Sequence, residues 1–140
     1  MAFISWSDSF LIDVPIVDDQ HRRLFNLAGD VYTLSRSNPD RAALVKSLDE
    51  LLDYTRYHFL HEENLMREED YPRFEAHRLL HEKLAGQTAA FRERAIGREA
   101  VDVGEFLNFL YTWLTQHIMD QDKKIGTFIQ MKKLKKQAPD

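Results

Sequence analysis

The helical spacing of its buried-type polar residues constrains this chain more than any other feature. Five of its six histidines, with two carboxylates, recur at helical intervals inside otherwise apolar seams: His21, His58, Glu62, His77, His81, His117 and Asp122. A first helix over about 18–37 starts where Asp18 or Asp19 can cap free amides, and turns His21, Leu24, Ala28 and Val31 to one face. Asn38 and Pro39 end it, and Pro39 suits the entry to a second helix over about 40–69. That helix has the seam Leu44, Leu48, Leu51, Thr55, His58, Glu62 and Leu65. Pro72 sets the next boundary, and a third helix over about 72–96 carries Phe74, His77, His81, Leu84, Thr88 and Phe91. Gly97 breaks the pattern and Asp102 caps a fourth helix over about 102–131, with Phe106, Leu110, Trp113 and His117 inward, continuing toward Ile125 and Phe128.

The ends of the chain read differently. Residues 1–17 keep no period, yet hold Phe3, Ile4, Trp6, Phe10, Leu11 and Ile12, which predicts an arm packed as a lid on the core. Lys132, Lys133, Lys135 and Lys136 predict a solvated tail. Four amphipathic helices with short connections predict one all-α domain over 1–140, an up-down-up-down antiparallel four-helix bundle with an N-terminal arm.

Composition excludes several classes of function. The net charge of −4 gives no electrostatic reason to expect nucleic acid or an anionic membrane as partner. With no cysteine there is no disulfide framework, thiolate nucleophile or zinc ribbon, so a metal would find only nitrogen and oxygen donors. No run approaches the roughly 20 apolar residues of a membrane span, and the first residues lack a basic segment followed by a long apolar one. A cytoplasmic monomer is expected.

Whether the seven polar residues meet can be tested on their numbers alone. Antiparallel neighbours at one height have numbers with a common total. His58 with His81 and Glu62 with His77 share one, and its midpoint falls beside Asp70, where the proline pattern puts a turn. His81 with His117 and His77 with Asp122 place the next turn near Glu99, and His21 with His58 place the first beside Pro39. All seven therefore lie in one layer, within about a helical turn in height. Spacing leaves one difficulty. From His117 to Asp122 an α-helix turns through roughly 500°, leaving Asp122 about 140° off the seam, so that Asp120 or Gln121 fits an α-helix better. Either the Asp122 side chain swings in from the flank or the helix widens locally into a π turn. His61 and Glu63 fall off the seam and are expected at the surface.

A layer of imidazoles supplies few partners for its own buried polar atoms, and a metal satisfies them together. Seven ligands exceed one tetrahedral zinc, and no HExxH pattern is present, since Leu65 follows His61 and Ala85 follows His81 at the fourth position. Two adjacent octahedral ions fit better. If Glu62, Asp122 and a solvent oxygen each bridge the pair, five histidines leave a single open position, on one ion. Imidazole with carboxylate suits iron, while ligand type alone leaves manganese and zinc open.

These residues also carry a family resemblance. DDQH at Asp18–His21, HFLHEE at His58–Glu63, HRLLH at His77–His81 and WLTQHIMDQD at Trp113–Asp122 resemble the hemerythrins, in particular single-domain bacteriohemerythrins. The resemblance selects Asp122 over Asp120. It implies two irons, one held by His77, His81 and His117 and the other by His21 and His58, with Glu62 and Asp122 bridging and an oxo or hydroxo bridge completing the pair. It further implies that O2 binds reversibly at the two-histidine iron. There a proton from the bridge moves to the reduced oxygen, so the charge of the pocket does not change. Leu24, Phe59, Trp113, Leu114 and Ile118 resemble the apolar wall that the family places around O2, and all five also fit an ordinary bundle core.

The expected function is thus O2 binding for storage, transport or delivery. A sensor of oxygen, redox state or nitric oxide acting through a partner is one alternative, and a diiron oxidase or ferroxidase another. No dedicated acid, base or substrate-orienting group stands out, which argues against an enzyme, and ferritin-like oxidases use more carboxylates and fewer histidines.

Overall fold

The computed structural model describes residues 6–37, 40–96 and 103–137, all of them helical or in short connections. Helix α1 spans Pro15–Ser35, α2 Arg41–Glu68, α3 Phe74–Ile96 and α4 Val103–Gln116. Helix α4 runs through a π-helical segment, His117–Asp122, into α5, Lys123–Gln137, so that the three form one rod. The chain is an all-α four-helix bundle, with α1 packed on α2 and α4, and α2 on α3. The predicted breaks at Asn38–Pro39 and Gly97, the Asp102 cap, and Phe3 and Ile4 of the arm lie outside the described residues.

Local chemistry sets most helix ends. Asp40 caps α2 by accepting from the Ala43 amide at 2.7 Å. At the other end of α2, Asp70 takes the left-handed conformation with φ 54°. The Tyr71 amide then donates to the Met66 carbonyl at 2.9 Å and the Asp70 amide to Arg67 at 3.1 Å, the paired bonds of a Schellman stop. This closes α2 before Pro72 and aims the chain back down the bundle.

Two expectations change at the first helix. Helix α1 starts at Pro15, a residue suited to a first turn, and neither Asp18 nor Asp19 caps it: the N-cap is Val14, without a side-chain bond. Asp18 is instead buried inside the helix and accepts from the Ile12 amide at 2.8 Å, tying down the arm. The arm then crosses α5 at Gly126, where a Cβ would stand 1.9 Å from the Ile12 carbonyl oxygen, so only glycine permits the contact. Trp6, Phe10 and Phe25 form an aromatic cluster with centroid spacings of 5.2–5.5 Å, consistent with the lid reading. The lysine-rich end is helical with Lys133, Lys135 and Lys136 exposed, as a solvated tail requires, while Lys132 donates to the Glu69 carbonyl at 2.8 Å and braces the end of α2.

The core fills the interior between the helices with Leu24, Val31, Leu51, Leu84, Leu107 and Ile125, each almost wholly buried. No described helix is long and apolar enough to cross a membrane.

Candidate metal centre

Each element delivers its polar side chains for a local reason. Helix α1 brings His21, α2 brings His58 and Glu62 one turn apart, and α3 brings His77 and His81 with the same spacing. The fourth rod solves the spacing problem by widening. Across His117–Asp122 it is π-helical, and the Lys123 amide that closes the segment bonds to the Ile118 carbonyl five residues back. One extra residue in the turn puts His117 and Asp122 on the same face. Asp120, the candidate that α-helical spacing favours, is exposed, while Asp122 is 1% exposed.

The seven side chains converge, and their donor atoms sort into two groups. One comprises Glu62, His77, His81, His117 and Asp122, the other His21, His58, Glu62 and Asp122, and within each group the ligand atoms lie no more than 4.8 Å apart. The two carboxylates belong to both. Glu62 turns Oε1 to His77 Nε2 at 2.7 Å and His81 Nε2 at 3.1 Å, and Oε2 to His58 Nε2 at 3.3 Å and His21 Nε2 at 3.7 Å. Asp122 turns Oδ1 to His77 and His117 at 3.0 and 3.1 Å, and Oδ2 to His21 at 3.0 Å. Each carboxylate thus offers one oxygen to each group, the arrangement a bridging ligand requires.

Unsatisfied buried atoms test whether a cation fits. His21 Nε2, His81 Nε2, Glu62 Oε2 and both Asp122 oxygens are shielded from solvent without a geometrically acceptable hydrogen bond. Each such group costs on the order of 1–3 kcal/mol if left unmade. His77 and His117 even bring their Nε2 atoms within 3.1 Å of each other. Lone pairs and negative oxygens aimed at common points are what a pair of cations would satisfy, so the donor set fits.

The electrostatics agree. Burial works against charge on His21 and His77, but the negative carboxylates of Asp122 and Glu62 close beside both rings outweigh it and hold both up to about 9. His81 is raised in the same way, with Glu62 and Glu63 overcoming its desolvation. At His58 burial prevails and the pKa falls. Glu62 and Asp122 stay well below the usual carboxylate range, because the surrounding histidines overcome the burial that would raise them. Without metal, protons on His21, His77 and His81 do the work of cations.

Two residues of the site escaped the periodicity argument. Gln20 Oε1 lies 2.7 Å from His58 Nδ1, and Glu63 Oε2 lies 3.0 Å from His81 Nδ1. Glu63 is therefore not a surface residue, its side chain being 16% exposed. It stands about 100° round the helix from Glu62 on the flank that faces α3, and that neighbour relation was the signal available. His61 stays outside the cluster and pairs with Tyr57 in a loose stack, ring centroids 6.4 Å apart. Of the five apolar candidates, Leu24, Phe59, Leu114 and Ile118 are buried and Trp113 is half-buried. Phe59 stacks on His81 at 3.9 Å and Trp113 on His117 at 4.2 Å, so both rings back the three-histidine group.

Comparison with known proteins matches this geometry to a family. Residues 13–129 match the family described as Hemerythrin HHE cation binding domain. The chain belongs to the hemerythrin family. It is 34% identical over 123 residues to a bacteriohemerythrin of Stenotrophomonas maltophilia, covering 88% of this chain and 79% of that one. With a bacteriohemerythrin of Methylococcus capsulatus the identity is 32% over 127 residues, covering 90% and 96%. Among solved structures, wild-type hemerythrin superimposes with a TM-score of 0.84 at 31% identity, covering 90% of this chain and 97% of that one. Hemerythrin membership implies metal binding, and the two-group donor set is where this chain offers it.

Proposed function

We propose that this hemerythrin binds O2 reversibly at a non-haem diiron centre, for oxygen storage, transport or delivery. His77, His81 and His117 would hold one iron, His21 and His58 the other, and Glu62 and Asp122 would bridge them. The observation that carries the reading is the division of each carboxylate, one oxygen toward each histidine group. With three histidines on one side and two on the other, the two-histidine side would be the one to take the incoming ligand. The chemistry such a pair would supply when bound is a two-electron reduction of O2, reversed on release.

The residues of this chain hold and shield that chemistry. The carboxylates offset the buried positive charge, which would otherwise be costly in a dry interior. Leu24, Leu114 and Ile118, each at most 2% exposed, keep water and external acids from the pocket, which slows loss of reduced oxygen and autoxidation. Phe59 and Trp113 press on the rings of His81 and His117 and fix their orientation.

The test is to measure metal content and then follow the visible spectrum through reduction, aeration and removal of oxygen. Two irons per chain and a spectrum that returns on each cycle are expected. One zinc per chain, or irreversible oxidation with turnover of an added substrate, would overturn the reading.

A further inference from the structure

The two histidine groups differ in what stands behind them. His81 presents Nε2 to Glu62 and has its other nitrogen, Nδ1, 3.0 Å from the Glu63 carboxylate. His58 likewise presents Nε2 to Glu62, but its Nδ1 is 2.7 Å from the neutral amide oxygen of Gln20. His21 Nδ1 is buried with no hydrogen-bond partner among the described residues. A proton on Nδ1 satisfies the first two contacts and leaves Nε2 free for a metal. So the three-histidine group is backed by an anion, and the two-histidine group by an amide on one ring and by nothing on the other.

That difference has a definite chemical direction. A carboxylate that accepts from Nδ1–H pushes electron density to Nε2 and strengthens it as a ligand. Such a charge-assisted bond is about twice as strong as a neutral one. An amide fixes the tautomer with a much smaller push. Glu63 is half-buried rather than sealed in the interior, its side chain being 16% exposed. It lines an open cleft of about 350 Å³ between α2 and α3 together with Arg56, Arg78 and Glu82. Arg78 already pairs with Glu75 and Glu82, at 2.5 and 3.1 Å.

We propose that Glu63 and Gln20 are opposed positioning residues that make the two metal positions unequal, Glu63 strengthening the three-histidine position through His81 and Gln20 leaving the two-histidine position weaker through His58. The three-histidine position then fills first and empties last. The two-histidine position, where the proposed function puts the incoming ligand, keeps an ion poor in electron donation and so receptive to a further ligand. The inference rests on that proposed function for the presence of two ions.

The experiment uses the full chain loaded with Co(II), which is redox-stable here and coloured, titrated with a chelator of known affinity. Cobalt per chain and its visible absorption are read at each point. The wild-type chain should lose its ions in two separate steps. Glu63→Gln keeps an acceptor but removes the charge, and should weaken the tighter step about tenfold while the weaker step holds. Glu63→Leu removes the acceptor and should weaken the tighter step by up to about 100-fold. Gln20→Glu should tighten the weaker step about tenfold, bringing the two together with a change in its cobalt absorption, which a merely structural role would not produce. If Glu63→Gln leaves the tighter step unchanged or weakens both equally, the inference is wrong. Glu63 sits at the edge of a cleft, so that variant decides the matter even if buried Gln20 does not tolerate a charge. Fewer than two Co(II) per wild-type chain before chelator is added would instead sink the diiron reading itself.

Discussion

The three-histidine side and the two-histidine side of the centre are built from different materials. Behind His77, His81 and His117 stand two aromatic stacks, a carboxylate and a π-helical turn, so those rings are clamped from several directions. His21 and His58 meet each other edge to face at 4.8 Å, with one amide behind His58 and buried aliphatic Leu24 one turn along from His21. Rigid, electron-rich surroundings suit an ion that only has to stay. Sparse, aliphatic surroundings suit one that must accept and release a small apolar molecule. The contrast can be broken or sharpened at specific residues.

Removing what the two sides share should have the largest effect. Glu62 is fully buried and touches four histidines across both groups. Glu62→Ala leaves buried cations undercompensated, a cost on the order of 3–5 kcal/mol, and should abolish binding on both sides. Metal analysis after gel filtration checks this; a normal diiron spectrum in the variant would contradict the bridging role. Next comes the π turn. Inserting one alanine after Met119, which is 44% exposed, should carry Asp122 round the rod by about 100°, off the shared face. Helical circular dichroism should survive while metal per chain falls below two. A variant that still binds two ions would show that the widened turn is not what delivers Asp122.

The seams, the one-layer arrangement and the turn after α2 were legible because period and proline act locally. The convergence of His21, His58, Glu62, His77, His81 and His117 followed from the same seams. Asp122 did not, since α-helical spacing favoured Asp120 and left a flank swing and a π turn equally open, and only family likeness chose it. Gln20 and Glu63 were missed for a related reason: each lies beside a ligand, off the seam, and reaches a ring on a neighbouring helix. Asp18 was misjudged because its partner, the Ile12 amide, belongs to an arm without periodicity. Contacts between elements of unlike period are what a single helical wheel cannot show.

A smaller effect separates the sides by packing. Leu24, 1% exposed, should cost about 2–5 kcal/mol when cut to alanine, read by denaturant unfolding. Its new cavity lies beside His21, so autoxidation of the oxygenated protein should also quicken. Trp113→Leu, half-buried behind His117, should disturb the iron spectrum more than the autoxidation rate. Equal acceleration by both variants would erase the distinction between a pocket wall and a ring clamp.

The smallest effect is one of pH, and it carries opposite signs with and without metal. His21 on one side and His77 on the other are both raised to about 9, from an ordinary value of 6.5. In the metal-free chain, groups raised on folding contribute stability that is fully present below 6.5 and lost as pH climbs through about 9. Glu62 and Asp122, depressed on folding, lose their contribution only at acid pH, outside this window. Metal binding must displace the histidine protons, so apparent affinity should rise over the same interval, by about tenfold per pH unit for each proton released, and level off above it. His81 is raised and His58 lowered, so the three-histidine step should show the steeper slope. Denaturant titrations of metal-free protein at pH 7 and 9, beside chelator competition at the same two values, test both signs. A metal-free chain more stable at pH 9 than at pH 7 would mean that the carboxylates, rather than protons on histidine, hold the empty layer together.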